Sequence, residues 1–551
     1  MAAGTLVALE RTKDVYGAGA AEAKLALLAR LERMRLSTAR EVERLHEALC
    51  FLRAYPDDAR VLARVERMLA RFDGRADLRR HRFALADTGI AGTPIYYRFF
   101  WATARWLARR WPGRLRLVRA DAEAEDAIGK ALPLLVTSAE AAALSALKPP
   151  GYAAIDRLRA PGETDAAFLL KRVGAMPGDA FTREAFFDAF DASFELEPGP
   201  DTPARTRAKF AAAPRGFQTA PLRRERPDLR AELQRPPRAV VRLARGAGRR
   251  AIDLARSAMV TRSRDLDAFA YGDARDVRLV DDGEGLSFAV NGVVPERRAL
   301  VPATFGCLTL RNGVPIGYVQ ADVIGRCAAL SFNAFETYRG GEAAFTFARM
   351  LAMLRHLFGA ESFSLEPYQL GKGNRDGIES GAWWFYYKLG FRPRAAGPRR
   401  ILHAELARMQ MRPSHRSTPA TLRKLAEGHL FFELDPHRPA PLPPVAEIGL
   451  RVAAKLAHAH GDRDRAIAAC SREATRLAGV RSLVGWTPGE RLAWRRWSPL
   501  VVTLPGAARW AATDRYALAA VIRAKGGPSE ADFLARFRAH PRLARALLGE
   551  A

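Results

Sequence analysis

Apolar positions in the middle of the chain follow the two-residue period of strands and the 3.6-residue period of helices in turn. Short apolar runs bounded by turn residues predict four strands, at 238–243, 277–280, 286–290 and 328–332. A longer apolar stretch is interrupted by Asn312-Gly313, a dipeptide suited to the two positive φ angles of a two-residue hairpin turn. We therefore predict an antiparallel hairpin of strands 304–311 and 314–324.

The strand predicted at 328–332 leads through Tyr338-Arg339-Gly340-Gly341 into a helical pattern. The glycines lie where that helix begins, beside amides that lack an intrahelical partner and at the positive end of the helix dipole. A phosphate can bind at such a junction if no side chain blocks its approach. Two glycines before a helix are also typical of an ordinary turn, so this junction alone leaves both interpretations open.

A more specific pattern lies at Gly381–Pro393, which contains Ala-x-x-Phe-Tyr-x-Lys-Leu-Gly-Phe. It resembles the last conserved helix and following strand of the GCN5-related N-acetyltransferase superfamily, usually Asn-x-x-Ala-x-x-Leu-Tyr-x-Lys-x-Gly-Phe. Glu379 takes the place of the usual Asn. The earlier Tyr338-Arg339-Gly340 is similar to the start of the family's pyrophosphate loop, Glu-Tyr-Arg-Gly-x-Gly-x-Gly, whose later glycines are replaced here by Glu342 and Ala344.

The resemblance implies an acyl-CoA-dependent N-acyltransferase that uses acetyl-CoA or another acyl-CoA as co-substrate. In that fold the strand 328–334 splays from the strand 362–365 and leaves a V-shaped slot, where backbone groups could pair with pantetheine amides. The coenzyme-binding residues implied are Phe332, Asn333 and Ala334 along the slot and Arg339, Gly340, Gly341, Glu342, Ala343 and Ala344 around the pyrophosphate. A carboxylate at Glu342 would oppose tight binding if it lay near a doubly charged pyrophosphate.

The same resemblance assigns Tyr386 to protonation of the departing thiolate. A phenol suits that task because it can donate one hydrogen bond to sulfur while it is neutral at pH 7. The alternative is an ordinary buried aromatic residue. Amine acylation also needs a base for the ammonium proton, and Glu336 and Glu366, near the ends of the two splayed strands, are candidates, with Glu336 preferred. An ordinary solvated carboxylate is the alternative for both.

Composition divides the 551 residues into four regions, and the chain is too long for a single core. Residues 1–197 are helical in pattern, and prolines recur every few residues across 198–237, which predicts a linker. Across residues 238–411 the pattern predicts strand, helix, hairpin, strand, loop, helix, strand, helix and strand in succession, and the resemblance implies that this region is an acyltransferase-like domain. Residues 412–551 return to helices. The fold class predicted is a central α/β domain with a mixed, splayed sheet, flanked by mainly α-helical regions.

The chain carries 88 Lys and Arg against 60 Asp and Glu, a formal net charge of +28. Such an excess is typical of nucleic-acid-binding proteins. The arginines are nevertheless scattered among Glu and Asp in helical segments such as 21–50 and 58–72, a pattern typical of solvated helix faces. We expect any nucleic-acid binding to be weak and non-specific. A non-catalytic scaffold or a nucleic-acid-binding protein is the alternative to an enzyme.

No run of about 18 uncharged apolar residues occurs, and the first residues lack a basic segment followed by an apolar core. These features predict a cytoplasmic protein with no membrane partner. The four cysteines are far apart and form no Cys-x-x-Cys pair, which argues against a zinc site or a disulfide framework, so no metal is expected. The amine acceptor is not predicted, since a fold alone does not identify a substrate.

Overall fold

The computed structural model describes residues 2–437, 439–440, 444–460 and 462–549. The chain divides into two compact units. The first comprises the described residues up to Leu222, together with Arg249–Tyr271 and Leu310–Ile316. The second comprises Arg223–Gly248, Gly272–Thr309 and the described residues from Gly317 onward.

The first unit is mainly helical. Its helices up to residue 188 are Ala2–Thr12 (α1), Ala20–Arg33 (α2), Ala39–Ala54 (α3), Ala59–Ala70 (α4), Ala76–His81 (α5), Trp101–Arg110 (α6), Ala122–Leu135 (α7), Ser138–Leu147 (α8), Gly151–Leu158 (α9), Asp165–Ala175 (α10) and Ala180–Asp188 (α11). Local sequence sets their starts: at α3, Thr38 accepts the amide of Glu41 while the Glu41 carboxylate accepts the amide of Thr38, a reciprocal cap.

A small antiparallel sheet accompanies these helices, which the sequence analysis did not predict. Its strands are Ile95–Tyr97 (β1), Leu115–Leu117 (β2) and Phe194–Leu196 (β3), in the order β1-β3-β2. Phe194 and Leu196 are buried in a core that includes Trp101 and Phe168. Each strand is only three residues long, so its alternation is too short to distinguish from a helical pattern.

Most of a mixed nine-stranded sheet belongs to the second unit. Its strands are Ala239–Arg242 (β4), Gly272–Gly283 (β5), Leu286–Val293 (β6), Ala303–Arg311 (β7), Val314–Ile324 (β8), Cys327–Ala334 (β9), Ser362–Leu365 (β10), Arg392–Pro393 (β11) and Leu430–Glu433 (β12). They lie in the order β11-β12-β10-β9-β8-β7-β6-β5-β4. Neighbours β9 and β10 are parallel, whereas β8 runs antiparallel to β9 and β12 antiparallel to β10.

The remaining helices are Leu229–Gln234 (α12), Arg245–Val260 (α13), Asp267–Ala270 (α14), Ala343–Phe358 (α15), Pro367–Leu370 (α16), Arg375–Glu379 (α17), Ala382–Lys388 (α18), Ala396–Met411 (α19), Pro419–Leu425 (α20), Val445–His460 (α21), Arg463–Leu477 (α22), Pro488–Val501 (α23), Ala512–Lys525 (α24), Glu530–Arg538 (α25) and Pro541–Leu547 (α26). No helix within the described ranges combines the length and the apolar character needed to cross a bilayer.

The predicted hairpin of β7 and β8 is confirmed. Asn312 and Gly313 both have positive φ, at 52° and 78°, as a two-residue turn requires. Both ends of the Asn312 carboxamide make hydrogen bonds. Its Oδ1 accepts the amide of Gly216 at 2.7 Å, and its Nδ2 donates to the carbonyl of Ala54 at 2.8 Å.

Helix α15 crosses between the parallel strands β9 and β10 and supplies much of the core of the second unit. Phe347, Leu351 and Leu354 are fully buried, and α15 confirms the helical pattern predicted after Gly341. Arg349 is also buried, and its guanidinium donates to both carboxylate oxygens of Asp282 at 2.8 Å and to the carbonyl of Glu232 at 2.7 Å. The contact with Glu232 holds α12, from the proline-rich region, against α15.

Candidate functional site

Strand β10 pairs with β9 along all four of its residues, and β9 is the longer of the two strands. Their parallel register runs from Cys327 opposite Ser362 to Leu330 opposite Leu365. Beyond Leu330, β9 continues to Ala334 and pairs along this stretch with β8, up to Ala334 opposite Gly317. After Leu365 the chain turns into α16. Strand β9 therefore extends past the end of its pairing with β10, at the place where the sequence analysis expects a slot.

The three slot residues lie on this extension, each half-buried. The ring of Phe332 packs edge-on against Phe347 of α15, with centroids 5.0 Å apart. Asn333 pairs with Tyr318 of β8. The carbonyl of Ala334 accepts a hydrogen bond from Nε of Arg339 at 3.2 Å. This bond folds the exposed Arg339 side chain back onto the end of β9.

The first turn of α15 is not capped by any side chain of the described residues. Before it, the amide of Gly341 donates to the carbonyl of Tyr338 at 3.0 Å and forms a turn. A Cβ atom at Gly340 would meet no other atom within 4 Å, so this residue borders open space. Ala343 and Ala344, half-buried, open the helix. The α15 start therefore retains the features of an anion-binding helix N-terminus.

Glu342 occupies the N-cap position of α15, but its side chain does not cap the helix. The residue is 3% exposed, and its Oε1 accepts the backbone amide of Arg223 at 3.1 Å. The Arg223 guanidinium lies 4.4 Å from the ring centroid of Phe345 and pairs with Glu284 at 2.6 Å. The Glu342 carboxylate thus anchors the segment that begins at Arg223, a role that the sequence analysis did not foresee.

Tyr386 lies in an aromatic cluster of the core and is 4% exposed. Its ring centroid is 5.4 Å from that of Phe347 and 5.9 Å from that of Phe391. Burial raises the pKa of the Tyr386 phenol well above its ordinary value, so the group is neutral at physiological pH. Phe347 contacts both Tyr386 and Phe332, so the predicted acid and the wall of the predicted slot share one neighbour.

The predicted bases are both solvent-exposed. Glu336 lies in a short 3₁₀ turn, Glu336–Tyr338, between β9 and the glycines. Glu366 directly follows β10. Each therefore lies beyond the end of one of the two strands, as the sequence analysis expects. Their exposure is compatible with proton transfer through water and equally with a solvated carboxylate.

The four cysteines are buried thiols. Cys327 begins β9, and burial raises its pKa to about 11. Burial also raises the pKa of the Cys307 thiol in β7. Neither group is a thiolate at neutral pH, so neither is suited to act as a nucleophile there.

A cavity of about 770 Å³ lies beside the α15 start, and we call it the basic cavity. Ala344 contributes to its lining from the first turn of α15, and the aromatic side chains of Trp384 and Phe385 contribute from α18. The cationic side chains that line it are Arg224, Arg226, Lys388 and Arg416. None of the described residues in the lining is acidic.

The basic cavity could not be identified from the sequence. Arg224 and Arg226 belong to the segment predicted as a linker, and Arg416 lies in the loop after α19. Lys388 is part of the motif that carries the family resemblance, but the motif gives no indication of these partners. The closest signal is the dense basic stretch that begins at Arg223.

Comparisons with protein-family models, curated proteins and solved structures find no match to this chain. A function for the site is therefore inferred from its own residues.

Proposed function

We propose that the second unit is an acyl-CoA-dependent N-acyltransferase with a GCN5-related fold, whose coenzyme lies between the ends of β9 and β10. The observation that carries this proposal is the limited pairing of the two parallel strands, which stops at Leu330 and Leu365 while β9 continues. Beyond the end of β10, strand β9 continues without pairing to β10, and an extended ligand such as the pantetheine arm, which has amides, could lie along the strand in that place.

The order of elements supports the same proposal. The hairpin of β7 and β8 is followed by β9, α15, β10, α18 and β11, the succession that the family resemblance implies. The strand β12 lies between β10 and β11 in the sheet, although it comes from the region predicted to be helical.

In this proposal the amides of the first turn of α15, at Ala343 and Ala344, bind the pyrophosphate. The Glu342 carboxylate accepts the amide of Arg223 and makes no capping bond to α15, so it does not occupy the helix amides that would bind the diphosphate. Open space at Gly340 lets the diphosphate approach the helix start. Arg339 is exposed close to the same turn and adds a positive charge.

Tyr386 would donate a hydrogen bond to the sulfur as the thiolate leaves. Its raised pKa keeps the phenol protonated, and it also makes complete proton transfer to a thiolate uphill, since a thiol has a pKa of about 8.5. The main contribution expected is therefore stabilisation of the developing charge, with the proton finally supplied from water. Glu336, exposed at the end of β9, would take the ammonium proton directly or through water.

Titration calorimetry with acetyl-CoA and with a longer acyl-CoA tests the proposal. We expect both thioesters to bind with a 1:1 stoichiometry. The difference between their affinities indicates which acyl length the protein prefers. The absence of a heat of binding and of a thermal shift with either thioester at millimolar concentration would contradict it.

A second candidate is a non-catalytic scaffold or nucleic-acid-binding protein that keeps this fold. The burial of Tyr386 against Phe347 and Phe391 favours it, because a core aromatic residue needs no catalytic role. This candidate predicts that no acyl-CoA binds and that replacing the Tyr386 hydroxyl affects only stability.

A further inference from the structure

The basic cavity has chemistry that neither the β9–β10 slot nor Tyr386 uses. Its cations come from segments far apart in the chain: Arg224 and Arg226, then Lys388, then Arg416. We infer that the basic cavity is a binding site for a phosphorylated nucleotide.

Backbone carbonyl groups hold two of the guanidinium groups of the cavity in place. Arg226 donates to the carbonyl of Lys388 at 2.9 Å, and Arg416 donates to the carbonyls of Pro413 and His415 at 3.1 and 2.8 Å. A carbonyl oxygen directs a guanidinium but does not neutralise it. Arginine side chains held in this way present further N–H groups to a phosphate, which they bind in a bidentate geometry.

The aromatic wall of the cavity is held by a partly buried hydrogen-bond network around Glu405. Nε1 of Trp384 donates to Oγ of Ser417 at 3.1 Å, and that hydroxyl donates to Glu405 at 2.5 Å. Glu405 also accepts from His415 at 3.1 Å and pairs with Arg408. The indole is thus fixed before any ligand arrives, and a fixed aromatic face beside arginines is the combination on which nucleobases stack.

Size separates a nucleotide from a simple anion. A volume of about 770 Å³ lies within the usual range for small-molecule sites, and an inorganic phosphate would leave most of it unfilled. The lining includes Ala344, so the cavity borders the uncapped first turn of α15. The phosphorylated nucleotide could be one of two ligands. It is either the nucleotide end of coenzyme A, in which case the inference rests on the proposed function, or a free nucleotide.

Calorimetry on the full chain distinguishes these two ligands with four probes: adenosine 3′,5′-bisphosphate, which is the nucleotide end of coenzyme A, ADP, coenzyme A and inorganic phosphate. The variant is Lys388→Gln/Arg416→Gln, at two exposed side chains that line the cavity. The control is Arg400→Gln, an exposed arginine of α19 that does not line it. Thermal unfolding verifies that all three proteins are folded.

We expect the bisphosphate to bind at least tenfold more tightly than inorganic phosphate, and the double variant to weaken it by about tenfold or more, since charged hydrogen bonds to phosphate are lost. Arg400→Gln should bind each probe with the affinity of the wild type.

If the double variant weakens coenzyme A binding as much as it weakens bisphosphate binding, the cavity is assigned to the coenzyme. Nucleotide binding without any tighter binding of coenzyme A supports a free nucleotide and contradicts the proposed function. Coenzyme A binding that the double variant leaves unchanged overturns the inference and leaves the proposed function standing. If no probe binds, both fail.

Discussion

The carboxylate of Glu342 accepts the backbone amide of Arg223 across 3.1 Å, and this contact determines what the start of α15 can do. A glutamate at the N-cap position would ordinarily be available to the helix amides or to solvent. Here the side chain is committed to the segment that also carries Arg224 and Arg226. The helix start is therefore left uncapped, and two positive charges are brought close to it.

Replacement of Glu342 tests that anchoring. Glu342→Ala leaves the amide of Arg223 without its acceptor, and we expect a loss of about 1–3 kcal/mol in the free energy of unfolding. Glu342→Gln retains an acceptor oxygen and should lose much less. Hydrogen exchange of the Arg223 amide provides the local measurement, with faster exchange expected in the alanine variant. Equal exchange rates in all three proteins would contradict the anchoring role.

Tyr386→Phe separates a chemical role from a packing role. The ring contacts with Phe347 and Phe391 survive the change, so the protein should fold. If the hydroxyl stabilises the departing thiolate, turnover should fall by roughly 10²-fold while acyl-CoA affinity stays nearly constant. Tyr387→Phe is the matched control, because its ring stacks on Trp383 at 5.5 Å and lies in different surroundings. If Tyr386→Phe turns over as fast as the wild type in an assay where the chemical step is rate-limiting, Tyr386 has no role in the mechanism.

Asp265, in the first unit, gives a pH prediction. Its carboxylate accepts from Oγ1 of Thr103 at 2.7 Å and from the amide of Phe100 at 2.9 Å, yet burial raises its pKa to about 6. A raised pKa adds stability that is complete below about pH 4 and is lost as the pH rises through 6. Between pH 4 and pH 7 the free energy of unfolding of the wild type should therefore fall by about 2 kcal/mol relative to that of Asp265→Asn.

Chemical denaturation across that pH range provides the test. Asp126→Asn, at an exposed carboxylate of α7, is the control and should follow the wild-type curve. Parallel pH dependence of the wild type and Asp265→Asn would show that Asp265 ionises normally.

The net charge of +28 leads to a prediction about nucleic acids. Scattered arginines bind phosphates by releasing counterions, so any affinity for DNA or RNA should be weak, indifferent to sequence and steeply reduced by salt. Fluorescence anisotropy with labelled duplexes at increasing salt measures this. A tight, sequence-selective complex that persists at high salt would instead favour the nucleic-acid-binding alternative.

Local signals in the sequence were sufficient for the part of the sheet around the predicted slot. Asn312-Gly313 fixes the hairpin through its φ requirements, and the predicted strand at 362–365 is observed with the same bounds as β10. Phe347, Leu351 and Leu354 are spaced four and three residues apart, as the helical period requires, and all three are buried in α15.

Features that depend on distant segments could not be predicted. Strand β12, Leu430–Glu433, is four residues long, and its pairing with β10 and β11 decides its conformation more than its own pattern does. Likewise, Glu342 is directed by the amide of Arg223, 119 positions away in the chain. The basic cavity combines three such segments, so its charges become a site only in the folded chain.

The most direct test of the account is acetyl-CoA binding to the wild type and to Gly340→Phe, measured by calorimetry. Since a Cβ atom at Gly340 would meet no other atom within 4 Å, the variant should fold and place its ring where the diphosphate would lie. Gly449→Phe, at an exposed glycine of α21 that is equally open, is the matched control. We predict binding to the wild type and to Gly449→Phe, and a loss of at least tenfold in affinity for Gly340→Phe. Equal affinities for all three proteins, or no binding to the wild type at millimolar acetyl-CoA, would contradict the proposed coenzyme site.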